Sequence, residues 1–479
     1  MIRCSSESVC LWHSLKCPNG SLPGNAYDCK TSDGQRLLDE SSLRPAWVVD
    51  GSLRGFVSLA VRFNGCLNRA SISFGVLMVM LLLSWMPAWA QVKAGDDVFV
   101  AKYLNLIKGK TVGIITNQSG RLQDGKYLVD VLAKIPDVKV VGLFAPEHGI
   151  RGEASAGAKV SGSVDAKTGI PIYSLYGQTK KPTPKMLKGI DVLIYDIQDV
   201  GTRFYTFIST LYLSMEAAAE NHVEFIVLDK PDMLRPDMVD GPVLADSLES
   251  FVGIQPIPSV YGMTPGELAT MFNDNGMLKG GVKANLRVIR MTGYRRDMWY
   301  DQTGLKWVTP SPNLRDMNAV ELYPGMVLIE ATNTTEGRGT NHPFEKIGSP
   351  YINSNQLVAL LEKQHVPGVE FKPTSFTPRP LPGASEPKYT GKLCHGIMMN
   401  VTDRNIFRPV EWGVTVVWAL HKLYPEKFKF RDEYFDLLAG TTTVRKMITA
   451  EDTPGEIIAS WQAGTKRFEK MREKYLLYK

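Results

Sequence analysis

The chain has 479 residues, 44% of them hydrophobic and 22% charged, an ordinary globular balance with length for two or more domains and a large core. Its formal net charge is only +6, and no Lys/Arg-rich block carries interleaved aromatics, which argues against a nucleic-acid-binding surface. No internal repeat or low-complexity tract interrupts it.

In chain order, the first strong signal is FGVLMVMLLLSWMPAWA at 74–90, uncharged, preceded by Arg62 and Arg69 and closed by Ala88-Trp89-Ala90. This pattern predicts a secretory signal peptide over 61–90 with an A-x-A cleavage site and Gln91 as the mature N-terminus. The rival reading is an uncleaved anchor, because 71–90 is almost long enough to span a bilayer; Pro87 and the small residues near the end favour cleavage. Residues 1–60 show no clear period and are expected to be a spurious upstream extension from a start site placed too early. Of the six cysteines, Cys4, Cys10, Cys17, Cys29 and Cys66 precede the cleavage site. Only Cys394 follows it, so neither an intrachain disulfide nor a thiolate metal cluster is expected. The expected product is a periplasmic or secreted bacterial protein with no stable membrane anchor.

From Lys110 onward, short apolar runs alternate with amphipathic stretches. TVGIITN (111–117), VKVVGLF (138–144), DVLIYDI (191–197) and EFIVLDK (224–230) read as fully buried strands, rich in Val and Ile. Helices are predicted between them, at Tyr127 to Ile135 and at Thr206 to Asn221, the latter with Ile208, Leu211, Met215 and Ala218 on one face. The alternation predicts an α/β fold, a Rossmann-like parallel sheet over 91–295. Beyond that, Pro/Gly-rich segments such as TPSPNLRD (309–316) and FKPTSFTPRPLPG (371–383) appear, with a strand-like GIMMNVTD (396–403) and helices near Trp412 to Leu423 and Pro454 to Lys479. Residues 296–479 are therefore expected to form a second, smaller α+β domain that completes a cleft.

In an open parallel sheet, ligands bind outside the carboxyl ends of the strands. Here the first strand ends at Thr116-Asn117, the second runs into Glu147-His148 with Arg151 close behind, and the third ends in Asp196 and Asp199 followed by Arg203. Each of these has a structural reading on its own, as a cap or a loop ion pair. Several acidic groups at neighbouring strand ends together point to a pocket, since buried carboxylates must be neutralised or hydrogen-bonded.

A second polar cluster is IEATNTTEGRGTNHPFEKIGSP (329–350), where Gly337 and Gly339 flank Arg338 and Glu330, Glu336, Asn341 and Glu345 supply polar chemistry. Its spacing matches neither phosphate-binding loop pattern. No paired-histidine spacing appears, so no metal is expected, and no other cofactor either. A nucleophilic serine is equally unsupported, because no G-x-S-x-G elbow exists.

Two carboxyl groups facing one another across a cleft are what glycoside hydrolysis requires. Glu147, flanked by apolar Phe144 and Pro146, is the candidate general acid, since an apolar wall raises a carboxyl pKa. Glu336 is the candidate catalytic partner, with Asp196 and Asp199 as rivals. Arg203 and Arg338 are expected to hold an anionic substrate group, as their fork geometry suits a carboxylate.

FAPEHGIRGE (144–153), YDIQDVGTRFYTF (195–207), LDKPDMLRP with DGPVL (228–244), YGMTPGELA (261–269), SPNLRDM with YPGMVLIEATNTTEGRGT (311–340) and PFEKIGSP (343–350) together resemble a family once catalogued as a domain of unknown function and now associated with exo-acting β-N-acetylmuramidases. The resemblance spans Val98 to Tyr478. It implies a glycosidase that releases N-acetylmuramic acid from the non-reducing ends of peptidoglycan fragments, with a Rossmann-like domain and a smaller C-terminal domain bordering the cleft. It places the family's proposed catalytic glutamate at Glu147. Asn117, His148, Arg151, Asp196, Asp199, Arg203, Tyr205 and Arg338 form the expected substrate-binding set. The lactyl carboxylate of N-acetylmuramic acid gives the arginines a physical reason to be present. Two alternatives share the same crevice: a non-catalytic periplasmic muropeptide-binding protein and a metal-dependent cell-wall hydrolase.

Overall fold

The computed structural model describes residues 91–147, 149–152 and 163–479. The apolar run at 74–90, its cleavage site, the upstream segment and His148 lie outside the described residues. Among the described residues, no helix is long and apolar enough to cross a membrane.

The first half is built on a seven-stranded sheet. After α1 (Gly95–Lys102) come β1 (Thr111–Thr116), α2 (Leu128–Leu132), β2 (Lys139–Ala145), β3 (Ser163–Val164), β4 (Pro171–Ser174), α3 (Pro184–Leu187), β5 (Val192–Asp196), α4 (Phe207–Glu220), β6 (Glu224–Leu228), α5 (Pro265–Asp274) and β7 (Leu286–Ile289). The strand order is β3-β4-β2-β1-β5-β6-β7. All pairs are parallel except β3 with β4. The four apolar runs became β1, β2, β5 and β6 because each is buried on both faces and needs no polar side. The predicted helix over 127–135 is shorter, at α2, ending before the largely exposed turn at 133–138 that leads to β2.

The order of the sheet reverses between β1 and β5. From β1 the chain first builds outward through β2, then returns to lay β5 on the other side of β1, in register from Val112↔Val192 to Thr116↔Asp196. The loops leaving the carboxyl ends of β1 and β5 diverge there, opening the crevice in which α/β sheets bind ligands.

The second half begins with α6 (Met317–Glu330) and contains a three-stranded antiparallel sheet, order β8-β10-β9, of β8 (Lys346–Ser349), β9 (Val369–Phe376) and β10 (Cys394–Val401). The Pro-rich stretch that starts at Phe371 is strand at its beginning: Pro373 sits in β9, opposite Ile397, and an edge strand tolerates a residue without an N–H. Helices α7 (Ser354–Glu362), α8 (Pro409–Leu423), α9 (Asp432–Ala439), α10 (Thr443–Thr449) and α11 (Pro454–Arg472) complete this half. The last helix stops at Arg472 and passes through a 3-10 turn, Glu473–Tyr475, short of its predicted end.

One apolar core runs continuously from the sheet (Ile115, Tyr195, Phe225) through α4 and α6 to Ile397 and Met399 of the small sheet. A separate cluster, including Val98, Ile114, Leu143 and Ile226, covers the sheet's other face. Helices α6 and α8 cross at Gly325 and Gly413. A Cβ on Gly325 would lie 2.0 Å from the carbonyl oxygen of Pro409, and one on Gly413 would lie 2.4 Å from Gly325. Only hydrogen fits between these backbones, so the glycine pair fixes α6 against α8 and thereby the position of its last residue, Glu330.

Candidate active site

Glu147 is set by the end of β2. Residues 142 to 146 are buried, and the chain then turns away at once through Gly149 and Gly152, with φ of 75° and 77°. These are left-handed values that glycine adopts without a Cβ penalty. Arg151 anchors the turn. Its guanidinium donates to Asp165 at 2.8 Å and 2.9 Å and to Asp130 at 3.0 Å. The hydrogen bonds from Arg151 hold the Asp165 carboxyl down to about 2, against the opposing effect of burial. Arg151 is thus committed to the protein, as a brace for the loop that presents Glu147.

The Glu147 side chain is half-buried and hydrogen-bonded with Tyr176, which follows β4. Burial first, then the charge of Glu147, pushes the Tyr176 hydroxyl up to about 12. That hydroxyl remains a donor at any physiological pH.

The other wall comes from the second half. Glu330 is the last residue of α6, and Arg338 pairs with it and with Glu336 at 3.1 Å. Lys388 reaches the carbonyls of Ile329, Glu330 and Thr334 at 2.9 to 3.0 Å and the Glu336 carboxylate at 3.1 Å. Gly337 and Gly339, with φ of 80° and 79°, make the turn that swings Arg338 inward. Glu336 is only 3% exposed. Burial opposes its ionisation, yet Lys388 and Arg338 outweigh that and hold its carboxyl below the usual range. Phe344 takes a left-handed φ of 65°, and its ring lies 5.0 Å from the Arg338 guanidinium. Backbone strain of this kind in a bulky residue concentrates at functional sites.

Between the walls is a cavity of about 170 Å³ whose lining includes Glu147, Tyr176, Tyr205, Glu330, Arg338 and Tyr434. A larger cavity of about 420 Å³ lies beyond the 305–314 segment, lined by Gln118, Lys230, Tyr300 and Trp307 among others. The segment is pinned between them. The Gln118 amide donates to the carbonyls of Thr309 and Pro310 at 3.2 Å and 2.9 Å, and the Tyr205 hydroxyl donates to Pro310 at 2.8 Å. The second cavity is the larger of these two, but the first brings two carboxylates, Glu147 and Glu330, to one space with Arg338, the arrangement that marks a candidate site.

The structure therefore divides the expected site residues. Glu147, Tyr205 and Arg338 share the smaller cavity, with Glu336 directly behind Arg338. His148 lies outside the described residues, and the remaining ones are engaged by the protein itself. The Asn117 side-chain oxygen accepts from the Ser119 N–H at 2.9 Å and its hydroxyl at 2.6 Å, closing the turn after β1. Asp196 pairs with Lys230 at 3.0 Å, and burial pushes its carboxyl up to about 7 although Lys230 opposes this. Asp199 accepts from the Tyr261 hydroxyl and from the Gly201 N–H at 2.8 Å, and burial raises it to about 6. Arg203 corrects the expectation of an anion-binding role. It is 0% exposed, and its guanidinium donates to the carbonyls of Pro242, Ile257 and Leu438 at 2.9, 3.2 and 2.8 Å, tying the sheet's loops to α9.

Sequence reasoning passes over Tyr176, Glu330 and Tyr434 as site residues. Tyr176 follows a strand end and is open to the same rule that finds Glu147, whereas Tyr434 lies on a helix far along the chain with no local signal.

Known proteins resemble the chain over most of its length. The N-terminal model of the exo-β-N-acetylmuramidase NamZ family matches residues 112–318 and its C-terminal model matches 321–478. The peptidoglycan β-N-acetylmuramidase NamZ of Bacillus subtilis (strain 168) is 46% identical over 389 residues, which cover 81% of this chain and 92% of that protein. Two crystal structures of DUF1343 family proteins from Bacteroides fragilis NCTC 9343 superpose with TM-scores of 0.75 and 0.69 at 35% and 36% identity. Each comparison covers 81% of this chain and 99% of the other. With both halves matched and the same fold found in solved relatives, the chain belongs to the NamZ family of exo-β-N-acetylmuramidases.

Proposed function

We propose that the chain is an exo-acting glycosidase that releases N-acetylmuramic acid from the non-reducing ends of peptidoglycan fragments. The observation that carries this reading is the small cavity where Glu147 meets Arg338 and a set of aromatic side chains, in a chain related over most of its length to a peptidoglycan β-N-acetylmuramidase. A cavity of about 170 Å³ suits one sugar ring better than a length of glycan, which fits action at a chain end.

In this reading Glu147 is the general acid. Its proton passes to the glycosidic oxygen as the C1–O bond breaks, and the Tyr176 hydroxyl fixes the carboxyl's orientation. Arg338 orients the sugar. Its Nη2 and Nε are turned to Glu330 and Glu336, which leaves the Nη1 donors for the lactyl carboxylate. Export through the signal at 61–90, cleavage before Gln91 and a place in cell-wall recycling outside the cytoplasmic membrane complete the proposal, since that is where the polymer lies.

The test is hydrolysis of a chromogenic β-N-acetylmuramide by the purified protein and its Glu147→Gln variant, with EDTA present. Wild type is expected to turn over without metal, and the variant to lose about 10² to 10⁴-fold on the natural disaccharide. Folded wild type that releases no muramic acid from either substrate would sink the reading, and turnover abolished by EDTA would favour the metal-dependent alternative.

A further inference from the structure

We propose that Glu330 is the second catalytic carboxylate, acting as the ionised partner of Glu147 across the small cavity. This rests on the muramidase reading and deepens it. Among the described residues that line the cavity, Glu147 and Glu330 are the carboxylates. Glu336, the partner expected from sequence, is sealed behind Arg338 and Lys388. Glu147 arrives from the sheet and Glu330 from α6, so the two carboxylates belong to different walls. Tyr323, itself in the lining, lies within electrostatic reach of both.

The placement of Glu330 is unfavourable unless it has a use. A carboxylate on the last residue of a helix faces the negative end of the macrodipole and the unpaired terminal carbonyls. Here the Lys388 ammonium takes the carbonyls of Ile329 and Glu330, and Arg338 takes the Glu330 carboxylate itself. One cation thus satisfies the helix-end carbonyls and another holds the Glu330 carboxylate at the rim of the cavity, while the glycine crossing of α6 and α8 fixes the backbone beneath it.

The chemistry balances with two carboxyl groups and water. Glu147 gives its proton to the leaving oxygen as the C1–O bond breaks. The Glu330 carboxylate meets the positive character at C1 from the opposite face, by bonding to C1 or by taking a proton from the water whose oxygen does so. Water finally supplies the hydroxyl on the released sugar. Where Glu330 bonded to C1, the water's proton goes to Glu147 as the bond to Glu330 breaks; where Glu330 took the proton, it passes to solvent, from which Glu147 is reprotonated.

The competing role is a counter-ion that merely positions Arg338. The experiment uses the full chain, an aryl β-N-acetylmuramide whose leaving group needs no protonation, and the natural N-acetylmuramyl disaccharide, with circular dichroism to confirm folding. Glu147→Gln is expected to fail on the disaccharide and to retain much of its turnover on the aryl substrate. Glu330→Gln and Glu330→Ala are expected to lose about a thousandfold or more in kcat on both. Sodium azide should restore aryl turnover to Glu330→Ala and yield the α-glycosyl azide, because azide enters the space and face the carboxylate vacated. Wild type active with Glu330→Gln and Glu330→Ala within tenfold of it, or Glu330→Ala giving neither rescue nor azide product, overturns this inference and leaves the muramidase reading intact. Inactive wild type removes the reading itself, and this inference with it.

Discussion

The cluster of Asp196, Asp199 and Arg203 beyond β5 and the cavity holding Glu147, Glu330 and Arg338 are made of the same residue types. The first is packed into the protein: Lys230, Tyr261 and backbone carbonyls each take part of its charge, Asp199 Oδ1 and Arg203 Nε are buried without a hydrogen-bond partner, and each of the three residues is at most 2% exposed. In the second, the ion pairs are arranged around a space. Carboxylates and arginines at strand ends therefore mark places where a fold has invested in polarity, but the partners decide whether that investment serves a ligand or the fold.

The largest expected contrast is between the two arginines. Arg203→Met leaves the buried carbonyls of Pro242, Ile257 and Leu438 without their donor. At about 1 to 3 kcal/mol for each unpaired group, the loss should be about 3 kcal/mol or more of stability, with little change in kcat per folded molecule. Chemical denaturation paired with active-site titration checks this, and an Arg203→Met protein as stable as wild type would erase the distinction between the two arginines.

A smaller effect is expected at the brace of the Glu147 loop. Asp165→Asn weakens the Arg151 pair and should cost about 1.5 to 3 kcal/mol near neutral pH. The folded Asp165 carboxyl is held below its unfolded value, so its contribution is present above about pH 4 and is lost as pH falls toward 2. The wild-type advantage over Asp165→Asn should shrink over that range in thermal melts. A lowered kcat in this variant, though Asp165 is not in the cavity lining, would sharpen the view of Arg151 as a positioning group.

The smallest effect is a slope. Burial raises the folded Asp199 carboxyl to about 6, so its stabilising contribution is present below about pH 4 and is lost as pH rises through 6. Asparagine does not titrate. The melting temperature of Asp199→Asn minus that of wild type should therefore become more positive between pH 4.5 and 7.5, and a flat or falling difference would show that Asp199 is ionised more easily than its surroundings allow.

Much of the fold and part of the site are legible in the order of residues alone. The runs TVGIITN, VKVVGLF, DVLIYDI and EFIVLDK form strands because continuous apolarity leaves a short segment no stable place except between neighbours buried on both faces. The rule that ligands gather at strand ends finds Glu147 and misses Tyr176 beyond β4. It also gathers Asp196, Asp199 and Arg203, because a strand end shows which groups are near the crevice and not what they touch. Glu336 stands out over Glu330 in the sequence for its seat beside glycines, whereas Lys388, which seals Glu336, lies 52 residues further on.

By itself the sequence determined the parallel sheet, the glutamate at the end of β2 and membership of a family recognisable from ordered motifs. Those depend on local hydrophobic pattern and on residue identity, both of which are written along the chain. Which carboxylate faces the cavity and which arginine is spent on backbone carbonyls were decided by tertiary structure alone. Burial and ion pairing depend on residues brought together from distant segments, and a buried charge takes its role from the partner that packing sets beside it.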